Sequence, residues 1–391
     1  MGYGSYRLHR SLLLYVPPIL ILLGTFGNVF SFVILKSKAM LKFSTYFFLM
    51  LMAVTDTLVL YVGLLPLWVS QVSGLDIRNM SNFVCKVSNS FGSMVSDCSV
   101  WLIISVSVER YLVVCHPFRA SALCSADTAK RIAILLVVAF LLLNVHFLWT
   151  VHVQEYSYGQ RKITQCYFTD RWIEEAWPWV DAIVYSILPF FIILFFNVLI
   201  VRHVLIARGQ RNTLQNIYPQ RRPSQEGSTR LTLMLLTVSL SFLLTTLPTT
   251  VVSICAQFWD PSSQGDLSQR ASYQLKRTIT ELLMYANHSI NFYLYCATGQ
   301  KFRHQLAWMV CYRHPAATQG GGGGGGGRAA DQTSVSKIGS VQERWQQGCQ
   351  LRRSIRLGRV GGPYSGCCRS KDVFSLKVEY SLNKNFKLRP R

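Results

Sequence analysis

Residues 101–118 read "WLIISVSVERYLVVCHPF". A run of apolar and small residues ends in the pair Glu109-Arg110, and more apolar residues follow. An isolated charge in the hydrocarbon of a bilayer costs several kcal/mol, so charges there pair, face a cavity or reach out to water. The stretch therefore reads as the end of a membrane span, with two charges set at its boundary.

The rest of the chain agrees. Half of the 391 residues are hydrophobic and only 15% are charged, against about 25% in ordinary soluble proteins. The apolar residues gather into seven runs, at about 12–35, 44–69, 83–115, 129–151, 179–206, 231–258 and 278–298. About 20 apolar residues cross the hydrocarbon as a helix. Backbone groups in lipid must be satisfied within the segment, and alternating β-barrel patterning is absent, so the expectation is seven helices. The net charge of +22 follows loop parity. Segments 36–42, 116–131 and 202–230 carry +3, +2 and +5, and the tail from 300 onward +13. The opposite set stays near neutral, between −2 and +2. Basic loops remain cytoplasmic, which predicts an outside N-terminus and an inside C-terminus. Such parity argues against nucleic-acid binding as the use of the charge.

The expected organisation is an all-α bundle: an extracellular N-terminus over 1–11, the bundle over 12–298, an amphipathic helix over 299–312 and a disordered basic tail over 313–391. No cleavable signal peptide is evident, so the first run is expected to stay as span one. In "TGQKFRHQLAWMVCY" (298–312), Phe302, Leu306, Met309 and Val310 recur at helical spacing between basic residues, the mark of an interfacial helix. Cys311 at its end is a palmitoylation candidate, with plain burial as the alternative. The loop 208–227 is polar, contains two prolines and is expected to be mobile, and the octaglycine at 320–327 is a flexible tether. Asn79 in Asn79-Met80-Ser81 is a candidate glycosylation site. Cys85 and Cys166 both fall on the oxidising side, where a disulfide is allowed.

Seven spans, Cys85 with Cys166, and "ERYLVVCHPF" together resemble the rhodopsin-like (class A) G-protein-coupled receptors. Further motifs are Gly27-Asn28, Asp56 in "AVTDTLV", Pro189 in "SILPFFIILFFN", Phe242 and Pro248 in "FLLTTLP", and Asn291 with Tyr295 in "NHSINFYLYC". The pattern from Asn291 to Arg303 and a span six without tryptophan look like invertebrate neuropeptide receptors of the FMRFamide and thyroliberin type. Four positions depart from the family. Phe292 replaces the span-seven proline, Thr246 the span-six tryptophan and Asn197 the span-five tyrosine, and span four lacks its central tryptophan.

The resemblance implies a disulfide between Cys85 and Cys166. It implies that Glu109, Arg110, Tyr111, Asn291 and Tyr295 take part in coupling to a heterotrimeric G protein, with Phe118 as an aromatic plug in the second cytoplasmic loop. An interfacial anchor is the alternative use of the Glu109-Arg110 pair. The resemblance also places Asn28, Ser99, Asn287 and Asn291 around Asp56 as a pocket for an allosteric sodium ion, the alternative being a wet polar network without an ion. No other cofactor is expected.

For the ligand, the span-three position of the aminergic aspartate is Gly92 here, which turns the reading away from amines. Glu281, Arg277, Tyr285, Trp259 and Asp97 are the candidate contacts to an extracellular peptide. Glu281 and Arg277 are four residues apart and could instead pair with each other, and the aromatics could be interface anchors. Expected partners are the peptide, the G protein, arrestin and the bilayer of the plasma membrane. No phosphate-cradling loop, nucleophilic triad or histidine metal set is present in the sequence, so no enzymatic activity is expected. The rival readings are a seven-span transporter or channel, which would predict internal repeats and broken helices, and a receptor-like protein that does not signal.

Overall fold

The computed structural model describes residues 2–37, 40–41, 43–158, 161–217, 226–258 and 266–312. Trp259 and the tail from 313 onward lie outside the described residues, as does the side chain of Cys311. Seven long helical spans run in chain order. Span one is Gly2–Leu35. Span two is Ser44–Val59, continuing through a π turn at Leu60–Leu64 into Leu65–Ser73. Span three is Asn82–Cys115, and span four is Ala126–Asn144 followed by Phe147–Thr150. Span five is Arg171–Asp181, a π turn at Ala182–Ile187, and Leu188–Ile217. Span six is Glu226–Phe258 and span seven Leu267–Thr298. A final helix, Gln300–Tyr312, follows Gly299.

Six of these helices are long and apolar enough to cross a membrane. Span seven is more polar because Asn287, His288, Ser289 and Asn291 are buried on its inner face. Outer faces are apolar instead. Leu22, Leu142 and Leu244 are each at least 66% exposed, as expected where hydrocarbon replaces water around the bundle.

The helices outrun the apolar runs. Span one begins at Gly2, span five at Arg171 and span seven at Leu267, and span five continues to Ile217, into the stretch expected to be a mobile loop. Counting apolar residues finds only the part that meets lipid, whereas backbone hydrogen bonding continues into the polar flanks. The start of span seven does carry a signal. Asp266 accepts from Gln269 N–H at 3.0 Å, and the Gln269 side chain returns to Asp266 N–H at 3.3 Å, a reciprocal cap.

Among the described residues, one β-element adds to the helical fold. Val151–Tyr158 and Arg161–Phe168 pair antiparallel, with Val153 opposite Cys166. Cys166 is bonded to Cys85 at the start of span three, with Cα atoms 5.9 Å apart. The hairpin is further tied down by Asn79 Oδ1, which accepts Cys166 N–H at 3.0 Å, and by Asn82 Oδ1, which accepts Val153 N–H at 2.7 Å. The Asn79 side chain, singled out in the sequence as a glycosylation candidate, is thus used within the fold.

Two packing devices set the bundle. In span five, the π register would direct the Val184 carbonyl to the N–H of residue 189, which is proline and has none. The Trp101 indole N–H of span three takes that carbonyl at 3.0 Å. Spans one and seven meet at glycines. A Cβ on Gly24 would fall 2.4 Å from Leu60 and 2.9 Å from Ser289 Oγ, and one on Gly27 would fall 2.8 Å from Phe292 Cβ. Phe292, in the place of the family's proline, fills the seam and packs with Phe26, Phe30 and Phe302 at centroid distances of 5.8–6.1 Å. Hydrogen bonds from Ser289 to the Leu20 carbonyl and from Tyr293 to the Leu23 carbonyl, at 3.0 and 3.2 Å, staple the same seam.

The last helix docks through buried Phe302 while Lys301, Arg303 and His304 stay exposed. Arg303 donates to the Cys296 and Ala297 carbonyls at 3.0 and 2.8 Å, serving carbonyls that the end of span seven leaves open.

Substituting Gly27→Val should lower thermal stability by about 1–3 kcal/mol through overpacking. Gly4→Ala, where nothing lies within 4 Å, should leave the midpoint unchanged. Thermal unfolding of both variants in detergent compares them directly, and equal midpoints would contradict the seam described here. Replacing Cys85 with Ser should cost about 2–5 kcal/mol on the same scale.

Candidate functional site

Polar side chains form three buried groups within the bundle. The central one surrounds Asp56, which is 1% exposed. Ser99 Oγ donates to its Oδ1 at 2.6 Å, His288 Nδ1 lies 2.8 Å from the same oxygen, and Asn291 Nδ2 donates to Oδ2 at 2.7 Å. Asn28 enters indirectly, donating at 3.0 Å to the backbone carbonyl of His288. Asn287 is buried beside the group, yet its Oδ1 has no partner among the described residues. Of the four residues expected around Asp56, then, Ser99 and Asn291 touch the carboxylate and Asn28 braces span seven at His288.

His288 is the residue the sequence reading missed. Among dispersed histidines it looked unremarkable, but span seven turns it inward beside Asn287. Its position three residues before Asn291, on the same helical face, was the available signal. The cluster as built does not fit a sodium ion. Hard cations need several oxygen ligands, whereas both Asp56 oxygens here face N–H and O–H groups of the protein.

The second group closes the end of span three. The sequence suggested that Arg110 pairs with Glu109 and reaches for water. In the fold Arg110 is only 6% exposed and its Nη2 lies 3.3 Å from Glu109 Oε1. That oxygen is held more closely by span two: Ser44 Oγ and Thr45 Oγ1 are each 2.6 Å away. Glu109 is thus fixed to span two, and Arg110 is held loosely by Glu109. Neighbouring Tyr111 packs on Phe196 of span five, with centroids 5.2 Å apart. Phe118 follows in the short helix Pro117–Leu123 and is 93% exposed. Tyr295 lies at the same end, buried and packed on Phe302 with centroids 5.5 Å apart. Asn197 occupies the family's tyrosine position and binds Ser239 of span six at 2.8 Å.

The third group corrects an expectation. Asp97, a candidate ligand contact, does not face the mouth of the bundle. It is 3% exposed and accepts from Asn144 of span four at 2.8 Å. A residue five places after Gly92 on a helix has turned through about 500°, so it shares no face with the aminergic position.

At the Cys85 end, Tyr285 is buried against Gly63, whose missing Cβ would fall 2.6 Å from the Tyr285 hydroxyl. Glu281 lies one turn further out and feels the charges of Arg277 and Arg78. Arg78, in the loop after span two, was not anticipated. Asp76 grips it with contacts of 2.8–3.2 Å. Burial by itself raises the Asp76 carboxyl, but the hydrogen bonds and charge of Arg78 outweigh it and hold the group below its ordinary value.

A seven-helix membrane bundle, bridged by one disulfide and closed at the other end by a buried Glu-Arg pair beside an exposed aromatic, defines a class of transmembrane receptor. The family described as "7 transmembrane receptor (rhodopsin family)" matches residues 27–295, and the chain belongs to that family. It is a family of receptors and not of enzymes. The FMRFamide receptor of Drosophila melanogaster is 26% identical over 72% of this chain and 50% of its own length. The chain therefore spans about half the length of that relative. The type-1 angiotensin II receptor A of Xenopus laevis is 25% identical over 79% of this chain and 82% of its own. The FMRFamide peptide receptor frpr-18 of Caenorhabditis elegans is 21% identical over 91% and 79% respectively.

Asn144→Leu should leave the Asp97 carboxylate buried without its donor and cost about 1–3 kcal/mol. The double variant Asp97→Leu, Asn144→Leu should recover most of that loss, because removing both partners of a buried polar pair is far cheaper than removing one. Unfolding midpoints of the three proteins test this, and additive losses would show that the pair is not coupled.

Proposed function

We propose that the chain is a plasma-membrane receptor for an extracellular peptide that activates a heterotrimeric G protein by conformational change. The observation that carries the reading is the arrangement at the end of span three. Arg110 is buried and held, among the described residues, by a 3.3 Å contact to Glu109, while Glu109 is fixed to span two by two hydroxyls. Such an arginine can be released without unfolding its partner's contacts, which is what a two-state switch requires. Phe118, bare beside it, offers an apolar contact to a protein docking there.

Charge parity supports an orientation with this end in the cytoplasm and the hairpin outside. In that orientation the Cys85–Cys166 bond lies in an oxidising space, and Lys301, Arg303 and His304 of the last helix lie at the inner surface of the bilayer. Arrestin would approach the same cytoplasmic face. Relatives named for FMRFamide and angiotensin support a peptide ligand, as does the lack of an acidic residue at the aminergic position. Glu281, with Tyr285 beneath it, is the proposed receiver of a basic group on that peptide.

Two outcomes follow. Arg110→Ala should keep peptide affinity within a few fold and abolish nucleotide exchange on a reconstituted G protein; full exchange in that variant would contradict the proposal. Glu281→Gln should weaken a cationic peptide about 30-fold or more and spare its neutral analogue. An equal loss for both peptides, reproduced by Arg277→Ala, would mean that Glu281 only braces its arginine neighbours.

A further inference from the structure

The place beside the Asp56 carboxylate is filled by the protein. His288 Nδ1 lies 2.8 Å from Oδ1, and Ser99 and Asn291 supply the other two contacts at 2.6 and 2.7 Å. Asp56, Ser99, His288 and Asn291 are all at most 3% exposed. A carboxylate is an acceptor, so the ring nitrogen facing it carries the proton. Nitrogen bearing a proton has no lone pair for a cation, and it stands where a cation bound to this oxygen would have to sit.

The ring is also held in place. Asn28 grips the His288 carbonyl at 3.0 Å, and Ser289 and Tyr293 fix the adjoining turns to span one. Gly24 and Gly27 permit that close approach. These bonds fix the backbone that carries the ring, so span seven cannot draw His288 away from Asp56 without opening the seam between spans one and seven.

We infer that His288 occupies the cation position beside Asp56, so that this receptor takes up no sodium there. The role of a mobile counter-ion is built into span seven. The same geometry says what would follow if the ring were removed. The side-chain oxygens of Asn28, Asn287 and Asn291 are buried and find no partner among the described residues. With Asp56 they are four oxygen-bearing groups buried in this part of the bundle, a donor set suited to a hard cation. The inference rests on this cluster and does not depend on the peptide or on G-protein coupling.

The test needs no ligand. The purified full-length chain is placed in neutral-lipid nanodiscs, and its unfolding midpoint is followed as sodium chloride replaces choline chloride at fixed ionic strength and pH. A cation that binds only the folded state raises the midpoint in a saturable way. The unsubstituted protein should give the same midpoint at every sodium concentration. His288→Ser should acquire a saturable, sodium-specific rise of several degrees, and Asp56→Asn in that background should abolish it. If His288→Ser does not fold, His288→Asn keeps a donor and still vacates most of the ring. A saturable sodium response in the unsubstituted protein would overturn the inference. So would a flat response in both the parent and the histidine variants, since something other than the ring would then exclude the ion.

Discussion

Asp56 is the constraint around which the bundle is arranged. A carboxylate at 1% exposure in the middle of a membrane helix is tolerable only if other helices bring donors to it. Ser99 comes from span three and His288 and Asn291 from span seven, so a single side chain fixes the relative depth and rotation of three helices. A slip of span seven by one residue would turn His288 and Asn291 away together and leave the charge alone. Hydrophobic burial cannot impose this register, because lipid tails are as apolar as the helix faces.

Close packing then does what water would otherwise do for a soluble core. Glycines at 24 and 27 bring span one against span seven, and the aromatic group at Phe292 fills the seam down to the last helix. Phe292 has a second consequence. It has the N–H that a proline lacks, and span seven runs from Leu267 to Thr298 as one unbroken helix. Stiffness of the lower part of span seven therefore comes from both its backbone and its packing. Irregular backbone is placed elsewhere, in the π turns of spans two and five, where helices commonly carry functional irregularities.

At the end of span three the same economy of charge takes a looser form. Glu109 shares one oxygen among Ser44, Thr45 and Arg110, and the hydroxyl contacts are the shorter. Residues 44 and 45 begin span two, so the carboxylate reports the position of span two to the arginine.

The sequence by itself determined the class of fold. Runs of apolar residues as long as a bilayer is thick leave the backbone no option but helix. It also carried the family motifs, including Asp56, Glu109-Arg110, Cys85 with Cys166, and Asn291 with Tyr295, because these are single residues at fixed spacings. What only the tertiary structure decided is which polar groups meet. His288 looked like one histidine among several until rotation of span seven set it on Asp56. Asp97 looked like a mouth residue until the turn of span three gave it to Asn144. The hairpin at Val151–Phe168 was hidden because its apolar side is small, Val151, Val153 and Phe168 against Phe147 and Trp177, and much of its hold comes from a disulfide and two asparagines distant in sequence. Apolar patterning is a property of one helix and can be read along it. A hydrogen bond between helices depends on the rotation and depth of both, and those are set only when all seven pack together.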